Sequence, residues 1–204
     1  MIDRRSVAVA GHTGDVATAE AGLQHDDPAV RATALGALER LGRLDDERLR
    51  HAFGDRAVVV RRRAVELAAA RPDVDLTGPL ADADPTVVEV AAWACGEHET
   101  VSDPVLAMLV ALAGGHAHGG DALVREAAVA ALGAIGDARG LDAILAATTD
   151  RPAIRRRAVL ALAPFVDPAA PRAAEVAAAL QRAATDRDWQ VRQAAEDVGA
   201  VAPD

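Results

Sequence analysis

Apolar residues recur along the chain in blocks that repeat one phrase. Each block has a branched anchor, a small residue four places on, and further apolar residues at the fifth and eighth places. The anchors are Val30, Val60, Val87, Val124, Ile154 and Val191, separated by 30, 27, 37, 30 and 37 residues. The fourth place reads Ala34, Ala64, Ala91, Ala128, Ala158 and Ala195; the fifth reads Leu35, Val65, Ala92, Val129, Val159 and then Glu196. Leu38, Ala68, Cys95, Leu132, Leu162 and Gly199 hold the eighth. Positions i, i+4, i+5 and i+8 fall on one side of a helix, so each block predicts an amphipathic helix with one buried stripe. Shorter apolar-periodic segments near 15–25, 45–53, 73–81, 103–113, 137–148 and 171–184 predict a partner helix before each block. The poorest of these carries Thr77-Gly78-Pro79 in its middle, where Gly and Pro oppose a helix. Residues 2–10 read as the second helix of a truncated copy, with Ile2, Val7 and Val9 in core places. Near-periodic self-similarity of this length is a solenoid signature.

The helix starts are also written in the chain. Asp27-Pro28 and Asp84-Pro85 precede their anchors by three and two residues, an N-cap acceptor followed by the residue best tolerated in the first turn. Asp121 and Asp188 hold the same cap place without Pro, whereas Ala57 and Arg151 replace it and leave Asp55 and Asp150 as the nearest acids. The residue after the anchor is Arg31, Arg61, Arg125, Arg155 and Arg192, with Val88 in the third copy. An Arg four residues after a cap Asp lies on the same helix face. The expectation is therefore a structural ladder in which Asp27 meets Arg31, Asp121 meets Arg125 and Asp188 meets Arg192, with Arg61 and Arg155 on the same face.

The phrase Asp-x-Pro-x-Val-Arg-x-x-Ala-x-x-Ala-Leu-x-x-Ile/Leu-Gly, followed by a short Asp-led helix, resembles the HEAT-like repeat of the phycobilisome-lyase type. Copies at 26–42 and 121–136 match closely, as does 150–165 apart from Pro164; copies at 55–70 and 82–96 match in part, and 186–199 is degenerate. The resemblance implies an all-α fold, an α-α superhelix of about six helix pairs with an N-terminal half repeat, and second helices lining a concave face. The expected organisation is one repeat domain over 1–204, with a cap at 1–13 and repeats near 14–42, 43–71, 72–98, 101–136, 137–165 and 171–201. In the last copy Glu196, Asp197 and Gln193 give the polar outer face expected of a terminal repeat.

Composition narrows the function more than it names it. Hydrophobic residues make up 51% and aromatics 2%, and there is no Lys, so the core is built from small contacts between thin helices. A net charge of −9 has the wrong sign for binding nucleic acid. One cysteine allows neither an internal disulfide nor a multi-cysteine metal site, which places the expected location in the cytoplasm. The apolar run after Arg4-Arg5 stops at Gly11, too short for an export signal, and no stretch is long enough to span a membrane.

The sixth place after each anchor is expected to face the groove and reads Gly36, Glu66, Trp93, Ala130, Leu160 and Asp197. Trp93 is the only aromatic there. From Pro72 to Val124 there is no Arg but nine acids, among them Glu89 and Glu97, flanked by the triplets Arg61-Arg62-Arg63 and Arg155-Arg156-Arg157. An indole in an acidic groove suits a partner that carries basic residues; the alternative is an indole folded back over Ala91, Ala92 and Cys95. The candidate binding set is Trp93, Glu89, Glu97, Glu66, Arg62, Arg63 and Arg156. His98, His116 and His118 are weak metal candidates, because a rigid second shell is hard to build on a Gly-rich loop; no cofactor and no metal site is expected. No nucleophile elbow or phosphate loop is present, and no His–Glu pair sits on successive second helices as in the di-iron hydroxylases of this repeat class. The expected function is a non-catalytic scaffold that binds a peptide or protein segment on its concave face. The alternative is an enzyme or enzyme subunit, bilin-lyase-like or metal-dependent.

Overall fold

The structure is a computed structural model that describes residues 2–116 and 120–201. Among them every regular element is helical. The chain divides into two compact units, Met1–Ala94 and Cys95–Asp204.

In the first unit the order is α1 (Arg4–Thr13), α2 (Val16–Gly22), α3 (Pro28–Arg40), α4 (Asp46–Ala52), α5 (Val58–Ala68), α6 (Thr77–Leu80) and α7 (Pro85–Gly96), whose last two residues belong to the second unit. Long helices α1, α3 and α5 pack side by side, while the short α2 and α4 pack on α3 and α5. Segment 73–81 yields only the four-residue α6, as Gly78 and Pro79 dictate. The second unit holds α8 (Asp103–Ala113), α9 (Ala122–Ile135), α10 (Leu141–Ala147), α11 (Pro152–Ala161), α12 (Ala173–Ala184) and α13 (Trp189–Val201), with 3₁₀ turns at Ala138–Gly140 and Ala163–Phe165. There α9 packs on α11 and α11 on α13, with α8, α10 and α12 behind them.

The apolar phrase becomes the core. Val30, Val60, Val87, Val124, Ile154 and Val191 are all buried, as are the small residues four places on. Packing at the eighth place is fully covered in Leu38, Leu162 and Ala68, and each buried Leu contributes about 1.5–3 kcal/mol. The caps form where Asp is present: Asp27 accepts from the Ala29 amide at 2.8 Å and Asp121 from Leu123 at 2.9 Å. Ala57 and Arg151 provide no side-chain cap bond.

Val9 departs from its expected core place and is 50% exposed, while Ala10 is buried. The anchor of this copy is Ile2, so Ala10 holds the eighth place and Val9 the seventh. In three other copies the seventh place meets the ninth residue of the preceding second helix: Ala37 against Gly11, Ala131 against Gly96, and Ala161 against Gly133. Among the described residues no helix covers this side of α1, and Val9 stands exposed.

The ladder is real, but its rungs join successive repeats instead of closing within one. Arg31 forms a bidentate pair with Asp55 at 2.7 and 2.8 Å, Arg61 with Asp82 at 2.6 and 2.9 Å, and Arg155 with Asp186 at 2.7 and 2.9 Å; Arg125 pairs with Asp150. Neither Asp27, Asp121 nor Asp188 accepts from its own Arg, because each cap carboxylate is turned onto backbone amides. Helical side chains slant toward the N-terminus, and the Arg heads follow that slant into the loop. Arg31 donates to the His25 and Asp26 carbonyls, Arg61 to Asp55 O and Arg155 to Asp150 O. Among the described residues Arg192 reaches the carbonyls of Asp186 and Arg187 and no carboxylate.

Candidate binding groove

The second helices of the first unit leave a groove of about 670 Å³ across α1, α3 and α5. Its charged lining is Arg4, Arg40, Arg62, Arg63 and Glu66, with His12 at one end and Val58 and Val59 along one side. Val59 is 49% exposed, the most open aliphatic position of this face apart from Val9. Arg63 pairs with Glu66 at 3.0 Å. Arg4, Arg40 and Arg62 make no ion pair with any described residue, and the Arg62 Nε is buried without a hydrogen-bond partner.

Two glycines shape the floor. A Cβ on Gly11 would lie 2.7 Å from the Arg40 guanidinium, and one on Gly36 would lie 2.9 Å from that of Arg63. Each planar head therefore rests on bare helix backbone, at the edge of the helix that precedes its own.

The expected binding residues separate into several places. Arg62, Arg63 and Glu66 line this groove together. Trp93 and Glu89 stand on α7 of the same unit and outside the groove lining. Trp93 is 46% exposed although Ala91, Ala92 and Cys95 beside it are fully covered, so the indole is not consumed in filling that core. Glu97 and Arg156 belong to the second unit, Glu97 exposed and Arg156 half-buried on α11. There the third Arg of the triplet, Arg157, meets Glu126 at 3.4 Å.

Of the metal candidates, His98 is buried and His116 exposed, and His118 lies outside the described residues. Among the described residues no group of three or more His, Cys, Asp or Glu is placed to hold a metal ion. No described helix is long and apolar enough to cross a membrane.

Sequence reasoning missed Arg4 and Arg40. The signal was available in the register: Arg4 and Arg62 both lie two places after their anchors, and His12 and Arg40 both lie ten places after theirs. The groove of the first unit carries four Arg against one Glu, and the acidic surroundings expected of Trp93 lie outside its lining. The acids of 72–124 that prompted the expectation belong partly to turns and caps: Asp82 holds Arg61 and Asp84 caps α7 through the Thr86 amide.

Residues 74–163 match the family model for HEAT repeats. That match falls on the chain's own repeats, with stacked helix pairs on either side of it. Residues 74–163 are HEAT repeats, and the fold is that of a HEAT-like repeat solenoid. Among solved structures this HEAT-like chain is similar to YibA from Escherichia coli, with 16% identity over 96% of this chain and 74% of that one, at a TM-score of 0.66. It is similar also to a designed armadillo repeat protein in complex with the peptide (KR)4, with 15% identity over 98% of this chain and 87% of that one, at a TM-score of 0.51. Human deoxyhypusine hydroxylase in complex with glycerol aligns at 20% identity over 97% of this chain and 78% of that one, at a TM-score of 0.49. At these identities the likeness is one of fold. No curated protein matches the sequence.

Proposed function

We propose that this HEAT-like chain is a non-catalytic scaffold that takes a peptide or protein segment on the second-helix face of its first unit. The observation that carries the reading is the contrast between two sets of arginines. Those that face the loops are spent on bidentate internal pairs, as Arg31 with Asp55 and Arg61 with Asp82. Those that face the groove, Arg4, Arg40 and Arg62, hold no carboxylate among the described residues. Surface guanidiniums gathered in a concavity beside an exposed Val59 offer a ligand both charge and apolar area. The designed armadillo neighbour, which holds (KR)4, supports the reading to the extent that a stack of this kind can accommodate an extended peptide.

The test is selection of displayed peptides on the purified chain, followed by the same binding assay on Val59→Asp with Arg62→Glu. Selected peptides should lose at least about tenfold in affinity for the double variant. Failure to enrich any peptide, or binding indifferent to both substitutions, refutes the reading. Metal content and absorbance of the purified chain address the enzyme alternative: a stoichiometric metal or a bound chromophore would favour it over the scaffold.

A further inference from the structure

We infer that the α1–α3–α5 groove selects an acidic segment, one whose carboxylates are interrupted by an apolar residue. This rests on the scaffold reading and adds the chemistry of the partner. A chain of net charge −9 has concentrated four guanidiniums in one concavity with a single carboxylate, and that carboxylate is occupied by Arg63. On the loop side of the same unit Arg31 and Arg61 are each balanced by an acid at 2.6–2.9 Å, whereas three of the four groove arginines have no ion pair with a described residue.

The arrangement is held in place as well as charged. Arg40 and Arg63 lie against Gly11 and Gly36, where any side chain would displace them. A guanidinium fixed in this way loses less freedom when it grips a carboxylate, and its fork matches two carboxylate oxygens. Arg62 as a whole is half-buried, lines the groove and makes no ion pair with a described residue, so its guanidinium is open to a carboxylate of the segment.

The spacing sets the ligand's length. Neighbouring helices pack about 8–10 Å apart, so Arg4 on α1 and Arg62 on α5, at matching register two helices apart, stand roughly 16–20 Å from each other. An extended segment rises about 3.3 Å per residue and spans that distance in about five or six residues. Val58 and Val59 line the α5 side, where an apolar residue of the segment would sit between acids. A nucleic acid is the weaker match, since the basic surface is confined to this groove on a chain that is acidic overall.

The experiment is fluorescence anisotropy on the full chain with labelled peptides of about eight residues: glutamates interrupted by leucine, the same peptide with lysine for glutamate, and (KR)4. A labelled single-stranded DNA of similar length completes the set, at about 50 and 300 mM salt. The glutamate peptide should bind best and weaken as salt rises. Arg40→Ala with Arg62→Ala should weaken it by about tenfold or more, and Gly36→Ala several-fold with an unchanged or raised melting temperature, because only Arg63 is displaced. Arg182→Ala, an exposed site on α12, should leave binding unchanged. Equal losses from Arg182→Ala, or tighter binding of DNA than of the glutamate peptide, would overturn the inference. Binding of a basic peptide alone overturns the acidic assignment and leaves the scaffold reading standing; binding of none overturns both.

Discussion

At the scale of the residue, the Asp that matters most to the stack is the one five places before the anchor. Asp55 receives both nitrogens of Arg31 and also the Ala57 amide, so one carboxylate ties a helix in one repeat to the turn of the next. Asp186 does the same with Arg155 and the Asp188 amide. Removing either carboxylate leaves a largely covered guanidinium unpaired. Asp55→Ala should therefore cost about 2–3 kcal/mol in urea unfolding, and Arg31→Lys about 1 kcal/mol, since an ammonium cannot grip two oxygens at once. The hydrogen bonds from Arg31 and Arg155 hold Asp55 and Asp186 below the usual carboxylate range. A depressed folded-state value means that this stability is fully present above the unfolded value near pH 4 and is lost as pH falls through the lower one. Stability measured from pH 5 downward should fall in wild type and fall less steeply in Asp186→Asn. The candidate site was only half legible at this scale: Arg62, Arg63 and Glu66 stood in a conspicuous triplet and its helix. Arg4 and Arg40 were isolated residues whose importance depends on which helix lies beside which.

At the scale of the element, the glycines inside the second helices divide into two kinds. Gly133 lies where a Cβ would come within 2.6 Å of the Ala161 Cα, a backbone neighbour that cannot swing aside. Gly133→Ala should destabilise the fold by about 1–3 kcal/mol, as overpacked helix crossings do. Gly36 faces only the end of Arg63. Gly36→Ala should instead be neutral or stabilise by about 0.5–1 kcal/mol from helix propensity. Thermal melts of the two variants side by side check both. Helix starts behave more simply. Ala57 provides no cap acceptor to α5, so Ala57→Ser should stabilise by about 0.5–1 kcal/mol in the same assay.

At the scale of the whole molecule, stability in a repeat fold is close to a sum of nearest-neighbour contacts. Among the described residues helix α13 packs mainly on α11 and α12, exposes Gln193, Glu196 and Asp197, and its Arg192 reaches carbonyls but no carboxylate. Helices α9 and α11 each pack on helices to both sides in their own unit. Amide exchange should therefore be fastest in α13 among these three, and comparable protection throughout would contradict the additive picture.

The helices, their pairing, the caps and the buried stripes follow from the sequence because each depends on residues close together in the chain: a period of 3.6, an Asp before a Pro, a Gly in a short apolar segment. The existence of an Asp–Arg ladder was visible for the same reason. Its rungs were not, since Arg31 to Asp55 and Arg155 to Asp186 join residues 24 and 31 positions apart. Only the side-by-side packing of α1, α3 and α5 collects Arg4, Arg40 and Arg62 into one concavity. The sign of a groove is a sum over neighbouring helices, so a chain of net negative charge can still present a positive one.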